Sequence, residues 1–217
     1  MIGRARWAVV ADDVAEVLPG LQVRHVTVPV ADHRTPADVR ARLDYLAERI
    51  DGARAIELRR QEIPFAYRVF FRKIGLDPDV CRTPIERLVL DRLVAGGFAP
   101  RGLVADAVTI ATAETGVAVV AFDGAAVGDE LFVRSARGGE RLRTADAALK
   151  LAAGTPLIAS GERLLAVLFG AVDERVEVSE RSTTVELAAI RVPGVPLLAV
   201  DEALWIAAET ITGPGQV

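Results

Sequence analysis

The feature that most limits what this chain can fold into is a change of hydrophobic period near Gly116. Before that glycine the apolar spacing is helical. From Pro36, residues Val39, Leu43, Leu46 and Ile50 fall on one helical face, with Thr35 placed as N-cap and Pro36 at the first position. A second helix is expected over Pro64–Ile74, stopped by Gly75. The third is the best marked: Thr83, Pro84 and Glu86 stand at the N-cap, N1 and N3 places of a capping box, and Gly96-Gly97 ends it. Its apolar face is Ile85, Leu88, Val89 and Leu93, and Leu103–Thr115 reads as a fourth helix despite its β-branched residues. After Gly116 the pieces become short and β-rich: Val117–Phe122, Glu130–Arg134, Thr155–Ala159, Arg163–Phe169, Arg175–Val178 and Thr184–Val192. Asp123-Gly124, Gly138-Gly139 and Ser160-Gly161 are turn dipeptides expected to supply positive φ. Near the N-terminus two short strands, Trp7–Val10 and Leu21–Val28, flank a small helix at Asp13–Leu18; near the C-terminus, Asp201–Ile211 is a helix with Leu204, Trp205, Ala208 and Ile211 on one face. Helices mainly in the first half, around a mixed or antiparallel sheet from the second half, argue for an α+β fold rather than a doubly wound one. No linker composition interrupts residues 1–212, so one domain is expected there, followed by a flexible tail at 213–217.

Composition narrows the function classes. A chain of 217 residues buries roughly 70% of its unfolded surface and needs no staple. Cys81 is the one cysteine, and His25 and His33 are the two histidines, which rules out a disulfide framework and a structural zinc site; no metal is expected. Mean hydropathy is +0.30, yet the longest apolar stretch, Leu103–Val120, is broken by Asp106 and Glu114. No membrane span is expected, and the apolar run after Arg6 is too short for a secretory signal, so a cytoplasmic location is expected. The formal net charge of −4 excludes nucleic-acid binding by bulk charge. That average hides an asymmetry: residues 34–101 carry net +4 and the remainder −8. The basic half includes Arg68, Arg72, Lys73, Arg82 and Arg87, which suit phosphate contacts or simply solvated helix faces. With aromatics at 5%, contact with RNA would go through backbone shape rather than base stacking.

The familiar catalytic templates are absent: there is no dinucleotide fingerprint, P-loop, nucleophile elbow or H-E-x-x-H, and no cofactor is expected. Polar residues in apolar surroundings remain. Asp106 interrupts an apolar helix and must find a donor there, from backbone or Arg101, or else form the polar wall of a pocket with Thr109 and Thr112. Arg134 and Glu140, separated by Gly138-Gly139, either close a hairpin as an ion pair or belong to a site with Phe122-Asp123-Gly124.

In order along the chain, several segments resemble the B3/B4 domain of the phenylalanyl-tRNA synthetase beta subunit, and more closely the free-standing bacterial proteins built from it. They are Ala66-Tyr67-Arg68, Gly75-Leu76-Asp77-Pro78, Arg82 to Leu88, Pro100 to Thr109, Ala121-Phe122-Asp123 and Val133 to Glu140. The resemblance covers about residues 60–190 and implies a single compact B3/B4-like α+β domain. It further implies tRNA as partner, with a pocket that hydrolyses a mischarged aminoacyl ester in the synthetase. By that likeness the pocket is lined by Asp106 and by Thr109 in the place of an Asn, by Val120, Ala121 and Phe122, by Arg134 and Glu140, by Gly170, Ala171 and Val172, and by Thr184. Two places depart from it: the synthetase's His is Val120 here, and its tyrosine-reading acid falls at Val172. A site that selects an OH group loses that selectivity with its polar reader. The resemblance thus implies a tRNA- or RNA-binding protein, as an aminoacyl-tRNA deacylase if it is an enzyme, with no catalytic residue assigned. The two valines favour the alternative, a non-catalytic binder of an amino-acid-like ligand.

Overall fold

The computed structural model describes residues 3–213 and 215. Positions 214, 216 and 217 of the expected tail lie outside the described residues. The helices are α1 (Asp12–Val17), α2 (Ala37–Glu48), α3 (Gly52–Leu58), α4 (Glu62–Lys73), α5 (Pro84–Ala95), α6 (Leu103–Thr115) and α7 (Leu197–Thr212). The strands are β1 (Arg6–Trp7), β2 (Val9–Val10), β3 (Gln22–Pro29), β4 (Ala118–Asp123), β5 (Phe132–Ser135), β6 (Arg141–Arg143), β7 (Ala148–Lys150), β8 (Pro156–Ser160), β9 (Arg163–Val167) and β10 (Thr184–Arg191). The architecture is α+β, as the change of period requires.

Two four-stranded sheets, in orders β1-β3-β10-β4 and β2-β5-β8-β9, share one apolar core, and β6-β7 form a small ribbon over a second cluster around Leu142, Leu157 and Leu164. β10 is the axis of the first sheet. Its residues Val185 to Ile190 are all buried, and it pairs antiparallel with β3 on one side and β4 on the other. One face of β10 receives α7, which lies against β10, β3 and α6. Ala203 and Ala207 of α7, and Ala107 and Ala111 of α6, are all fully buried. Small side chains at these positions let the two helices pack closely against each other. The N-terminal segment crosses between the sheets: β1 pairs with β3, Ala8 donates to the Val23 carbonyl, and β2 pairs in parallel with β5.

Several expectations need correction. Thr35 does not cap α2, whose N-cap is Pro36; its hydroxyl is committed to Asp106. Arg175–Val178 is not a strand, because Asp173 folds the chain into a 3₁₀ turn at Glu174–Val176 by accepting from the Arg175 amide. Gly124 does not take positive φ. It is small for another reason: a Cβ there would sit 2.3 Å from Thr184 Oγ1 and 3.0 Å from the Thr184 carbonyl carbon. Trp205 is not on the buried face of α7; it is 48% exposed. α3 and the β6-β7 ribbon are additions. None of the α3 residues is buried, so no hydrophobic period announces that helix; what starts it is Asp51, accepting from the Arg54 amide at 2.7 Å.

Candidate functional site

The carboxylate of Asp106 is only 1% exposed and fully engaged. Oδ2 accepts from the Thr35 hydroxyl at 2.5 Å and Oδ1 from the Arg101 amide at 3.0 Å. Thr109 donates its hydroxyl to the Ala105 carbonyl at 2.9 Å and accepts from the Arg101 guanidinium at 2.8 Å. These bonds tie the segment before α2 to the segment before α6. Asp106 thus finds its donors in the backbone and in Thr35, the structural alternative left open above, and the α6 polar stripe serves as a fastening.

Arg134 and Glu140 form the ion pair that closes the turn between β5 and β6, with guanidinium-to-carboxylate distances of 2.7 and 3.0 Å. Glu140 also accepts from the Arg137 amide at 2.6 Å. The Arg134 guanidinium, against the opposing pull of partial burial, holds the Glu140 carboxyl below its ordinary value.

The remaining pocket residues are spread over two sheets. Val120 and Ala121 on β4 are partly buried, while Phe122 is fully enclosed. Gly170 and Ala171 belong to a tight turn after β9, and Val172 bridges back to Ala166. At that turn Phe169 adopts φ +60°, the one positive φ among the described non-glycine residues. Its ring is thereby placed on α4, 5.1 Å from Phe71, 5.7 Å from Tyr67 and 5.9 Å from Phe70. Aromatic packing at these distances offsets a backbone cost of order 1–3 kcal/mol. Thr184 lies against Gly124 at the far end of β10. Clefts open away from Val120, Phe122 and Val172: about 500 Å³ between α2, α3, α5 and α6, about 590 Å³ at the start of α6, and about 410 Å³ beside Glu140.

A polar cluster that the sequence reading passed over lies on the β10 face turned away from α7. His25 Nδ1 meets Glu186 Oε1 at 2.5 Å, and the Thr27 hydroxyl donates to Glu186 Oε2 at 2.6 Å. Both His25 and Glu186 are buried. In the sheet register Val120, Ala188 and His25 form one cross-strand row, and Phe122, Glu186 and Thr27 form another two residues along, on the same face. Glu186 interrupts the apolar run from Val185 to Ile190 just as Asp106 interrupts its helix, so the same signal pointed to it.

On the basic helices, Arg68 is a correction. It is buried, with its guanidinium held by Glu86 at 2.6 Å and by Asp79 at 2.8 Å, and it is not free to meet a phosphate. Arg82 is half-buried and leans on the Pro78 carbonyl at 3.4 Å. Arg72, Lys73 and Arg87 are exposed.

Two sheets sharing a core around a central, buried β10, flanked by a helical layer that contains the α6 fastening, make an α+β domain. The chain belongs to the B3/4 domain family, whose pattern matches residues 66–195. Among solved structures, an N-terminal fragment of the phenylalanyl-tRNA synthetase beta-subunit from Pyrococcus horikoshii is similar, with 13% identity and a TM-score of 0.44. The alignment covers 93% of this chain and 46% of that one, so the chain spans about half the length of that fragment. Comparison with curated proteins finds no match. No helix among the described residues is long and apolar enough to cross a membrane.

Proposed function

We propose that this chain is a tRNA-binding B3/4 protein whose helical half meets the RNA backbone. The observation that carries this reading, beside family membership, is the division of labour among the basic residues. Arg68 is spent on Glu86 and Asp79, while Arg72, Lys73 and Arg87 are exposed and have no ion-pair partner among the described residues. Contacts of that kind make binding fall steeply with salt. Electrophoretic or fluorescence titration of the protein with unacylated tRNA tests it. Micromolar or tighter binding that weakens as salt rises is expected; binding no stronger than that of a neutral protein of this size sinks the reading.

A second reading, hydrolysis of a mischarged aminoacyl ester, is favoured by the His25–Glu186 pair. A carboxylate that orients an imidazole is the arrangement of a general base. His25 stands in the row that contains Val120, where the resembled domain keeps its histidine, and Glu186 in the next row on the same face. His25 is buried, so in this reading the sheet face opens to admit the aminoacyl group; the imidazole takes a proton from water, the hydroxide adds to the ester carbonyl, and the ribose oxygen leaves with a proton. A panel of mischarged tRNAs is the test. Deacylation that His25→Gln abolishes supports the reading; none above background for any amino acid removes it. Stabilisation of the protein by a free amino acid, with no turnover, would point to ligand binding in its place.

A further inference from the structure

The cleft at the start of α6 differs in chemistry from the others. Arg34, Arg40 and Arg101 line it together with His33, Thr35, Val104 and Ala105, and one acidic side chain, Glu180, stands among them. The three arginines come from separate places: the segment before α2, the first turn of α2, and the segment before α6. Among the described residues none of the three makes a salt bridge, although eight other arginines do. Arg40 spends one N–H on the Thr35 carbonyl and Arg101 one on Thr109. His33 is turned inward, donating to the Ser182 carbonyl at 2.8 Å, and Asp32 is occupied by the Arg34 amide. In the cleft between α2, α3, α5 and α6, by contrast, Arg49 and Arg54 share the lining with two carboxylates, Glu57 and Glu114.

Three guanidinium groups against the single carboxylate of Glu180 leave the cleft with an excess of positive charge, and the Asp106 fastening fixes the Thr35 and Arg101 segments beside each other. An anion in the cleft would balance that excess. The end of α6 alone would not make a site, but it adds to one: the amides of Val104 and Ala105 have no partner among the described residues, and both residues line the same cleft. Guanidinium groups with free N–H donors fit the paired oxygens of a phosphate better than a carboxylate-sized point charge.

We propose that this cleft is a phosphate-binding site, occupied by a phosphodiester of bound RNA or by a free phosphate monoester. In its RNA form the inference rests on the tRNA-binding reading; phosphate capture by itself does not. The test uses the full chain, ¹⁵N-labelled, titrated with inorganic phosphate and separately with unacylated tRNA. Saturable shifts at the amides of Arg101, Val104 and Ala105 with phosphate are expected. They should be lost in the Arg34→Ala/Arg40→Ala/Arg101→Ala variant and kept in Lys150→Ala. These arginines are exposed, so the triple variant should retain the wild-type amide spectrum away from the cleft. If RNA is the ligand, the triple variant loses roughly a hundredfold in tRNA affinity at moderate salt, and its log–log salt dependence flattens by about one for each phosphate contact removed. Phosphate shifts without any tRNA binding would assign the site to a monoester and remove the RNA reading. No phosphate-induced shift, together with tRNA binding that the triple variant retains and Arg72→Ala/Lys73→Ala weakens, would overturn the site and leave the RNA reading standing.

Discussion

Two buried carboxylates decide much at the scale of single residues. Asp106 accepts from a hydroxyl and a backbone amide supplied by two different segments. Asp106→Ala strands both donors, and each unsatisfied buried group costs about 1–3 kcal/mol. We expect a loss of about 3 kcal/mol in urea unfolding, with Thr109→Val costing less, since Arg101 and the Ala105 carbonyl keep other options. Asp173 is the second. Burial pushes its carboxyl up, but hydrogen bonds from the Arg175 side chain and from the Arg143 and Arg175 amides outweigh that and hold it down at about 2. A carboxyl depressed on folding stabilises the native state above its unfolded value, near 3.8, and that contribution drains away as pH falls toward 2. Thermal unfolding of wild type and Asp173→Asn between pH 5 and pH 2 should therefore converge as the solution is acidified. Parallel curves would show that the carboxylate's charge is not what matters.

Among the elements, α5 shows both what a sequence pattern reveals and where it stops. Thr83, Pro84 and Glu86 announce the start of the helix, and Gly96 ends it in the left-handed conformation at φ +79°. The pattern is local, and so it was legible. What it could not show is that Glu86 works twice: Oε2 accepts from the amide and hydroxyl of Thr83, while Oε1 anchors the buried Arg68 of α4. We expect Glu86→Ala to cost about 3 kcal/mol, well above the ~1 kcal/mol of an ordinary lost cap, because a buried guanidinium loses half of its compensation. Chemical denaturation of Glu86→Ala beside Thr83→Ala measures the difference. The same division runs through the candidate site. Asp106 and the Arg134–Glu140 pair were readable because each is set within a few residues of its fastening or interrupts an apolar run. The joining of His25 and Thr27 to Glu186 spans some 160 residues and emerges only from the register of β3 against β10. Arg68 was misjudged for the same reason, since a basic residue on a helix shows its charge in sequence but not its partners.

Over the whole molecule, charge and topology are arranged on different plans. The excess of positive charge sits in the helical half, and the salt dependence of tRNA binding described above is the measurement that belongs to that asymmetry. Topology puts the chain's beginning at its centre: β3 is a neighbour of β10, and the Arg6–Val10 segment fastens one sheet to the other. Removing residues 1–10 exposes an edge on each sheet, and we expect a loss of about 3 kcal/mol, or roughly 10 °C in Tm by calorimetry. An unchanged Tm would show the crossing segment to be ornamental. The pairing of β3 with β10 also has a bearing on how the protein is made. During synthesis β3 must wait for residues 184–191 before its flank toward β10 is matched, so the first sheet closes only after the more than 150 residues between them have been made. An excised fragment limited to residues 66–195 would never receive β3 at all, and its most buried strand would present a bare flank to whatever other chain lay nearby.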